Sequence, residues 1–228
     1  MCKILAFIPA RKGSKEIKNK NIKKFNGKPL IEWTIKSALL CKLISNVVVS
    51  TDCPKISRIS KRLGVNVVKR PKRISGDKAS VESAIKHYLM KSSSSFKTIV
   101  LLSPTSPLRK SSDIENALKE FKSKKLDSCF SVSALTDFLI WKKNNKTKKL
   151  VSINYNFKNR GTRQDRDQNY LENGSIYIFK TKIFKQKNNR ISGKIGMYFM
   201  DFWQSLELDR KKDWKLLETI QKIYINEL

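Results

Sequence analysis

Apolar residues along the first 135 positions fall into two alternating kinds of stretch. Short β-branched or continuous apolar runs predict buried strands at 4–8, 47–52, 65–68, 98–103 and 129–132. Between them, apolar residues at helical spacing predict helices at 29–40, 54–63, 81–91 and 113–122. This alternation predicts an α/β fold, with a doubly wound, mostly parallel sheet and helices on both of its faces.

The pattern changes from about residue 137 to 170, where polar, Lys- and Asn-rich sequence carries isolated aromatic residues. We interpret this excursion as antiparallel strands that pair with another subunit, and a disordered surface insert is the alternative. The main sheet is predicted to resume at 173–179, followed by a strand at 196–200 and a final amphipathic helix at 214–225. We therefore interpret residues 1–228 as a single domain with one excursion.

The chain is strongly basic, with a formal net charge of +30 from 49 basic and 19 acidic residues. Such a surface attracts polyanions, among them nucleotides, nucleic acids and anionic lipids. The lysines are spread over the whole chain and are not interleaved with stacking aromatic residues, so the charge does not indicate specific nucleic-acid binding. A compositional bias towards Lys, Asn and Ile accounts for the charge equally well.

Thiol and imidazole chemistry has little support. The four cysteines form no CxxC pair, and the one histidine is His87. This argues against a Cys/His zinc site and a disulfide framework, and it fits a reducing compartment. The apolar start is too short for a signal sequence, and no run reaches the roughly 20 apolar residues of a membrane span. We therefore expect a cytoplasmic protein without a membrane partner.

The loop 8–15 after the first predicted strand, continued by 18–21, combines one glycine with several cations. Backbone N–H groups near Gly13 can approach phosphate oxygens because no Cβ intervenes, while Arg11, Lys15 and Lys20 supply charge for a polyphosphate. The loop matches neither GxxxxGK[ST] nor GxGxxG. On pattern alone, a solvated basic connection is an equally good interpretation.

Two acidic positions are candidates for chemistry. Asp77 is either a turn or capping residue or a functional one. Glu207 and Asp209, two positions apart, point to the same side of an extended segment, so both can ligate one hard cation. Cations and carboxylates without a histidine base favour nucleotidyl or phosphoryl transfer supported by Mg²⁺.

Several sequence blocks together resemble one family, the acylneuraminate cytidylyltransferases, which make CMP-sialic acids and their legionaminic- and pseudaminic-type bacterial relatives. The blocks occur in the family's order and cover most of the chain outside the excursion, at 8–15, 20–22, 27–31, 49–52, 70–71, 77–80, 104–109, 163–164 and 173–177.

The resemblance implies a nucleotide-diphospho-sugar transferase-like fold and a reaction. CTP and a nine-carbon 2-keto sugar acid give the CMP-sugar and pyrophosphate, with the sugar's anomeric hydroxyl attacking the α-phosphate. It also implies a Mg²⁺ cofactor and a homodimer formed through the excursion.

The resemblance further assigns site residues. Catalytic roles fall on Arg11, Lys20 and Asp209, and the metal ligands are Glu207 and Asp209. Nucleotide contacts are implied for Ala10, Arg11, Gly13, Lys20, Asn21, Arg70, Ala79, Ser80 and Ser103. Contacts with the sugar-acid substrate are implied for Thr105, Arg163, Gln164, Asn173 and Tyr177.

Some positions depart from the family pattern. Ser103 stands where the family usually has Gln, and Glu207 replaces an Asp that is one methylene shorter. Leu171 and Glu172 precede Asn173 where some sialic-acid enzymes carry Arg, so legionaminic- or pseudaminic-type acids are as compatible as N-acetylneuraminate. The alternatives are a cytidylyltransferase for the eight-carbon acid of lipopolysaccharide and a non-catalytic protein that binds nucleic acid or another polyanion.

Overall fold

The computed structural model describes residues 3–14, 16–135, 138–162 and 164–225. Lys15 and Arg163, which the sequence analysis singles out, lie outside these ranges. The strands are β1 (Ile4–Pro9), β2 (Lys24–Phe25), β3 (Lys28–Pro29), β4 (Asn46–Thr51), β5 (Asn66–Lys69), β6 (Thr98–Leu102), β7 (Ser128–Ala134), β8 (Trp141–Lys143), β9 (Leu150–Ser152), β10 (Tyr170–Lys180) and β11 (Ile195–Phe199). The helices are α1 (Leu30–Leu40), α2 (Pro54–Arg62), α3 (Val81–Lys91), α4 (Ser111–Ser123), α5 (Thr181–Lys187) and α6 (Lys211–Ile225).

The main sheet has seven strands in the order β11-β7-β10-β6-β1-β4-β5. The pairings on both sides of β1, between β4 and β5, and between β7 and β11 are parallel. Strand β10 runs antiparallel to its neighbours β6 and β7. The excursion leaves the carboxyl end of β7 and returns at the same edge, which requires β10 to run in the opposite direction. The predicted mostly parallel sheet is confirmed.

Helices cover both faces of this sheet, as the pattern predicts. Alternate residues of β1 point to opposite faces, so Ala6 and Ile8 pack with α1, α2 and α4, while Leu5 and Phe7 pack with α3 and α5. The continuous apolar run of β1 is typical of a parallel strand that is buried on both sides. This double burial fixes the sheet edge from which the functional loops emerge.

A third apolar cluster joins the two ends of the chain. Helix α6 packs its buried face against the short β2–β3 hairpin and the loop before it, with Trp214 in edge contact with Phe25. The indole N–H of Trp214 also donates to the carbonyl of Lys24 at 3.2 Å. Burial of a large apolar side chain contributes about 1.5–3 kcal/mol, so this cluster holds the C-terminal helix firmly beside the N-terminal loop.

The excursion contains the antiparallel pair β8–β9, in which Trp141 lies opposite Ser152. An ordered antiparallel hairpin was one of the two interpretations left open by the sequence, and the other was a disordered insert. Within the described ranges, no helix combines the length and the apolar character that crossing a bilayer requires.

Candidate active site

A cleft of about 660 Å³ opens at the carboxyl ends of β1, β5 and β6. In open α/β sheets this is the edge at which ligands bind. Its lining comes from four loops and the start of α3, namely Pro9, Arg11, Gly13, Ser14, Glu16, Lys20, Asn21, Arg70, Asp77, Ala79, Ser80, Val81, Ser103, Pro104, Thr105, Asp209 and Arg210.

A larger cavity of about 1300 Å³ lies at the opposite edge of the sheet, near the start of β1 and β6. Its described lining is rich in lysine, with a few apolar side chains and without a carboxylate among the lining residues. We place the active site in the smaller cleft because charged groups of both signs and a helix N-terminus converge there, as group transfer from a polyphosphate requires.

The basic loop is anchored to the sheet at both ends. The Lys12 N–H donates to Asp52 Oδ1 at 2.7 Å, which ties the loop to the end of β4. The Asn21 side chain donates from Nδ2 to the Arg11 carbonyl at 3.2 Å and closes the loop on itself. The part between these anchors, including Gly13, borders the cleft, as the prediction of a phosphate loop requires.

Arg11 crosses the cleft to the loop before α3. Its Nη1 atom lies 2.8 Å from Asp77 Oδ1, and both side chains are partly exposed. Asp77 therefore lies at the cleft rather than in a remote turn. A bound polyphosphate would compete with this carboxylate for the guanidinium.

Lys20 connects the basic loop to the C-terminal segment. Its Nζ donates to the Leu208 carbonyl at 2.9 Å and to Asp209 Oδ1 at 3.0 Å, across 188 and 189 positions of sequence. The lysine side chain is only 12% exposed, so its direction is fixed by these two acceptors. The structure thus brings together the predicted phosphate-binding cation and a predicted metal ligand.

The pair Glu207 and Asp209 forms an electrostatically costly arrangement. Burial raises the pKa of Glu207 to about 7, and the neighbouring Asp209 charge and hydrogen bond add to this effect, while Lys20 and Arg109 oppose it. Leu208 between them is fully buried, and its N–H donates to the Thr105 carbonyl at 2.8 Å. Two carboxyl groups held this close favour either a shared proton or a cation.

No cluster of three or more His, Cys, Asp or Glu side chains suited to a metal is present in the described part of the chain. The pair still fits Mg²⁺, because that ion is usually held by one or two carboxylates together with substrate phosphates and water. The predicted ligand set is therefore compatible with a metal that the nucleotide helps to bind.

Arg70 and Ser80 border the other end of the cleft. Arg70 donates from Nε to Ser50 Oγ at 3.1 Å and from Nη2 to the Ser50 carbonyl at 2.9 Å. Burial lowers the pKa of Arg70 to about 10, so the guanidinium remains charged at neutral pH. Ser80 caps α3 by accepting from the Ser83 N–H at 3.2 Å, and the positive end of this helix faces the cleft.

Ser103 and Thr105, in the loop after β6, complete the lining of the cleft. Their hydroxyl oxygens lie 2.7 Å apart, so the two side chains form one hydrogen-bonded polar surface after β6. Both residues line the cleft, and their contacts with nucleotide and acceptor stay predictions.

Glu207, a predicted metal ligand, and four predicted contact residues are not part of the cleft lining. Ala10 is fully buried and continues the sheet through its N–H bond to the Ser50 carbonyl. Gln164 is exposed in a turn of the excursion. Asn173 is 4% exposed, and its Oδ1 accepts from the Ser131 hydroxyl and from the Ser175 N–H.

Tyr177, the fourth of these residues, belongs to the core on the α3 and α5 face of the sheet. Its hydroxyl donates to Glu172 Oε1 at 2.6 Å, and the Arg190 guanidinium stacks 4.5 Å above its ring. Burial, assisted by Glu172, raises the pKa of Tyr177 to about 12, so the phenol stays protonated at neutral pH. Its side chain is thus already engaged within the protein.

The structure also identifies residues that the sequence analysis did not assign. Glu16 and Arg210 line the cleft, and Asp52 anchors the basic loop. Arg109 is 4% exposed and donates from Nη1 to the Ser103 and Ser175 carbonyls at 3.3 and 2.8 Å. Arg210 directly follows Asp209, a signal available in the sequence, whereas the position of Arg109 depends on the packing of β6 against β10.

Comparison with known proteins decides the family. The family model described as Cytidylyltransferase matches residues 5–227. The chain belongs to the cytidylyltransferase family. It is accordingly an enzyme of the nucleotidyltransferase type, and the loops that meet at the cleft are those of a cytidylyltransferase.

Two relatives of this cytidylyltransferase match along nearly their whole length. Post-translational flagellin modification protein B of Campylobacter coli is 33% identical over 231 residues, covering 97% of this chain and 96% of the relative. The CMP-N,N'-diacetyllegionaminic acid synthase of Legionella pneumophila is 30% identical over 226 residues, covering 97% of each chain.

A third relative is longer. The N-acylneuraminate cytidylyltransferase of Escherichia coli O18:K1:H7 is 31% identical over 232 residues, covering 96% of this chain but 52% of the relative. The cytidylyltransferase described here therefore spans about half the length of that enzyme.

A solved structure supports the fold. The chain titled CMP:2-keto-3-deoxy-manno-octonic acid synthetase complexed with CTP superposes with a TM-score of 0.70, covering 99% of this chain and 100% of the other. Its sequence identity is 17%, so the likeness concerns the fold alone.

Proposed function

We propose that this cytidylyltransferase transfers CMP from CTP to the anomeric hydroxyl of a sialic-acid-like, nine-carbon 2-keto sugar acid and releases pyrophosphate. Two of the relatives carry names of this kind, one for N-acylneuraminate and one for a legionaminic acid. The relative named for legionaminic acid is matched along nearly its whole length, so an acceptor of that type is favoured for the first assay.

The single observation that carries the proposal is the convergence of cations and carboxylates on one cleft. Arg11, Lys20 and Arg70 line it together with Asp209, although they come from distant parts of the chain. A nucleoside triphosphate carries several negative charges, and its transfer depends mainly on positioning and charge neutralisation.

In the proposed reaction, the acceptor hydroxyl oxygen forms a bond to the α-phosphorus while the bond between that phosphorus and the oxygen bridging to the β-phosphate breaks. The hydroxyl proton leaves to solvent, and the electron pair departs with pyrophosphate. Arg11 and Lys20 would neutralise the charge that develops on the leaving group. Arg70 and Ser80 would border cytosine and ribose, and Thr105 the acceptor.

Mg²⁺ is proposed as the cofactor, with Glu207 and Asp209 as its protein ligands. Burial, and after it the neighbouring Asp209 charge, raises the pKa of Glu207 to about 7, and a bound divalent cation would favour the ionised carboxylate. When bound, the ion would polarise the phosphate oxygens of CTP. Lys20, bonded to Asp209 Oδ1, would orient that carboxylate from the opposite side.

A homodimer is proposed through the excursion. The hairpin region exposes several large apolar side chains, which supports a partner surface; these are Trp141, Leu150, Val151, Ile153 and Phe157, with exposures of 43%, 64%, 48%, 58% and 51%. The high positive charge of the chain opposes self-association, so an apolar patch is needed to offset it.

We also propose a cytoplasmic location, which the buried free thiols of Cys41, Cys53 and Cys129 fit.

The decisive assay follows pyrophosphate release with Mg²⁺, each of the four nucleoside triphosphates and a panel of nine- and eight-carbon 2-keto acids. We expect turnover with CTP and a nine-carbon acid, and none that depends on nucleic acid. Equal turnover with UTP would contradict the cytosine assignment, and preference for an eight-carbon acid would contradict the acceptor class.

A charge-matched pair of variants tests the cleft. Arg11→Ala should lower kcat/KM by about 10²–10³-fold because a charge-stabilising donor is lost. Arg58→Ala, which removes an exposed arginine of α2, should leave the rate within about twofold. Equal rates in the two variants would remove Arg11 from the mechanism.

A further inference from the structure

Strand β10 is interrupted by an irregularity immediately behind the cleft. Its pairing with β7 shifts register between Glu172 and Tyr177. Gly174 lies within this interval at φ +68°, a left-handed conformation that favours glycine. The strand therefore carries a bulge at 173–175 rather than continuing straight past the site.

Buried side chains hold the bulge in place. Asn173 Oδ1 accepts from the Ser131 hydroxyl at 2.5 Å and from the Ser175 N–H at 3.2 Å. Arg109 donates to the Ser175 carbonyl at 2.8 Å and to its hydroxyl at 3.2 Å. Asn173 Oδ1 and Arg109 Nη1 thus fix the bulge, while Asn173 Nδ2 and the Nε and Nη2 atoms of Arg109 are buried without a hydrogen-bond partner.

The bulge makes room for the carboxyl group of Glu207. A Cβ placed on Gly174 would lie 2.4 Å from Glu207 Oε1 and 3.3 Å from its Cδ. A contact this short forces a shift, and because Oε1 is the far end of a flexible side chain, the Glu207 carboxylate is the group that moves. The space that holds Glu207 exists because residue 174 has no side chain.

The main chain beside Glu207 cannot move away to compensate. Leu208 is fully buried, its N–H is bonded to the Thr105 carbonyl, and its own carbonyl accepts from Lys20. A clash at Gly174 would consequently rotate the Glu207 side chain out of its position beside Asp209.

We propose that Gly174 is a positioning residue that places the Glu207 carboxylate for metal binding, and that Asn173 and Arg109 shape the bulge for this purpose. The inference rests on the proposed metal role of Glu207 and Asp209. In this proposal, residues 173–175 lie behind the cleft and hold the metal ligand Glu207 in position.

The test compares two glycine variants that share the same backbone strain. Gly174→Ala places a methyl group against Glu207, whereas Gly64→Ala, at φ +76°, meets nothing within 4 Å. Binding of Mn²⁺ to the protein is measured from the loss of its free EPR signal without CTP, because the nucleotide itself chelates Mn²⁺ and would remove that signal. We expect Gly64→Ala to bind within about twofold of the wild type and Gly174→Ala to bind about ten- to a hundred-fold more weakly, as for other supporting contacts of metal ligands.

A rescue experiment separates the clash from general damage. Glu207→Asp withdraws the carboxylate by one methylene, so Gly174→Ala combined with it should bind Mn²⁺ within about threefold of Glu207→Asp alone. Should Gly174→Ala fail to fold, thermal unfolding of Gly174→Ala/Glu207→Ala decides the question. Recovery of a folded protein supports the inference, and its absence overturns it.

The outcomes distinguish the inference from the function on which it rests. Equal Mn²⁺ affinity in Gly174→Ala and Gly64→Ala, or no rescue by Glu207→Asp, overturns the positioning role and leaves the proposed transferase intact. A wild-type protein that makes the CMP-sugar but binds no Mn²⁺ overturns both the metal assignment and the inference.

Discussion

Replacing Lys20 by methionine tests the charge arrangement of the cleft most directly. The side chain is 12% exposed and donates to the Leu208 carbonyl and to Asp209 Oδ1. Methionine keeps most of the apolar stem and removes the ammonium group. A charge-stabilising donor in an active site is typically worth about 2.7–4 kcal/mol of transition-state stabilisation, so we expect kcat to fall about 10²–10³-fold.

The cost to folding should leave the protein folded, because natural domains have about 5–15 kcal/mol of stability. Asp209 is 58% exposed and can be hydrated when its partner is lost, so the pair itself contributes at most about 1 kcal/mol. The Leu208 carbonyl loses one bond from a charged donor, worth about 1.5–3 kcal/mol when fully buried. A folded protein with a severe catalytic defect is therefore expected, with the unfolding free energy measured by urea titration.

Lys18→Met is the matched control. Lys18 is exposed in the same loop, and its replacement changes the net charge by the same amount. Pyrophosphate release is measured for both variants over a range of CTP concentrations. If Lys20→Met retains kcat within about threefold of Lys18→Met, the ammonium group plays no part in the chemistry and the reasoning from the cleft geometry is wrong.

Three further predictions concern burial, pH and salt. Asn173→Ala should lower the unfolding free energy, measured by urea titration, by about 1–3 kcal/mol because its buried partners are left unsatisfied. The KM for the acceptor should not rise. A raised KM at unchanged stability would instead show that Asn173 contacts the substrate. Burial in the folded state raises the pKa of Glu207 from 4.5 to about 7, so the folded protein binds a proton that the unfolded chain has lost between these pH values. The unfolding free energy of the metal-free protein should therefore decrease as pH rises from 4.5 to about 7. Glu207→Gln should flatten this pH dependence. A net charge of +30 should steer CTP to the enzyme, so kcat/KM should fall about tenfold or more with added NaCl while kcat stays constant.

The sheet could be predicted from the sequence because strands buried on both faces leave continuous apolar runs, as in β1 and β6. The direction of β10 could not be predicted in the same way. Side chains alternate equally along parallel and antiparallel strands, so the pattern carries no sign of direction. Helix α5 was missed because seven residues offer too little periodicity.

The sequence predicted some of the residues that line the cleft and not others. Residues that follow strands, such as Arg11 and Ser103, line one cleft because the carboxyl ends of parallel strands share one edge, and their roles there stay predictions. Asn173 and Tyr177 follow no such rule. They lie within β10, where the bulge decides which side of the sheet each residue faces. In the amino-acid sequence, Gly174 is the main indication of this bulge.

The contact between Lys20 and the C-terminal segment is the step that converts this fold into a complete site. Strand β1 leads into the basic loop, and the packing of α6 holds the C-terminal segment with Glu207 and Asp209 beside that loop. The packing is specific, because Asn26 of the β2–β3 turn donates from its backbone N–H to Glu218 Oε1 at 2.9 Å and from Nδ2 to Gln221 Oε1 at 2.7 Å. The apolar cluster that joins the two ends of the chain thus holds Asp209, a proposed metal ligand, within hydrogen-bonding distance of Lys20, the proposed phosphate-binding cation.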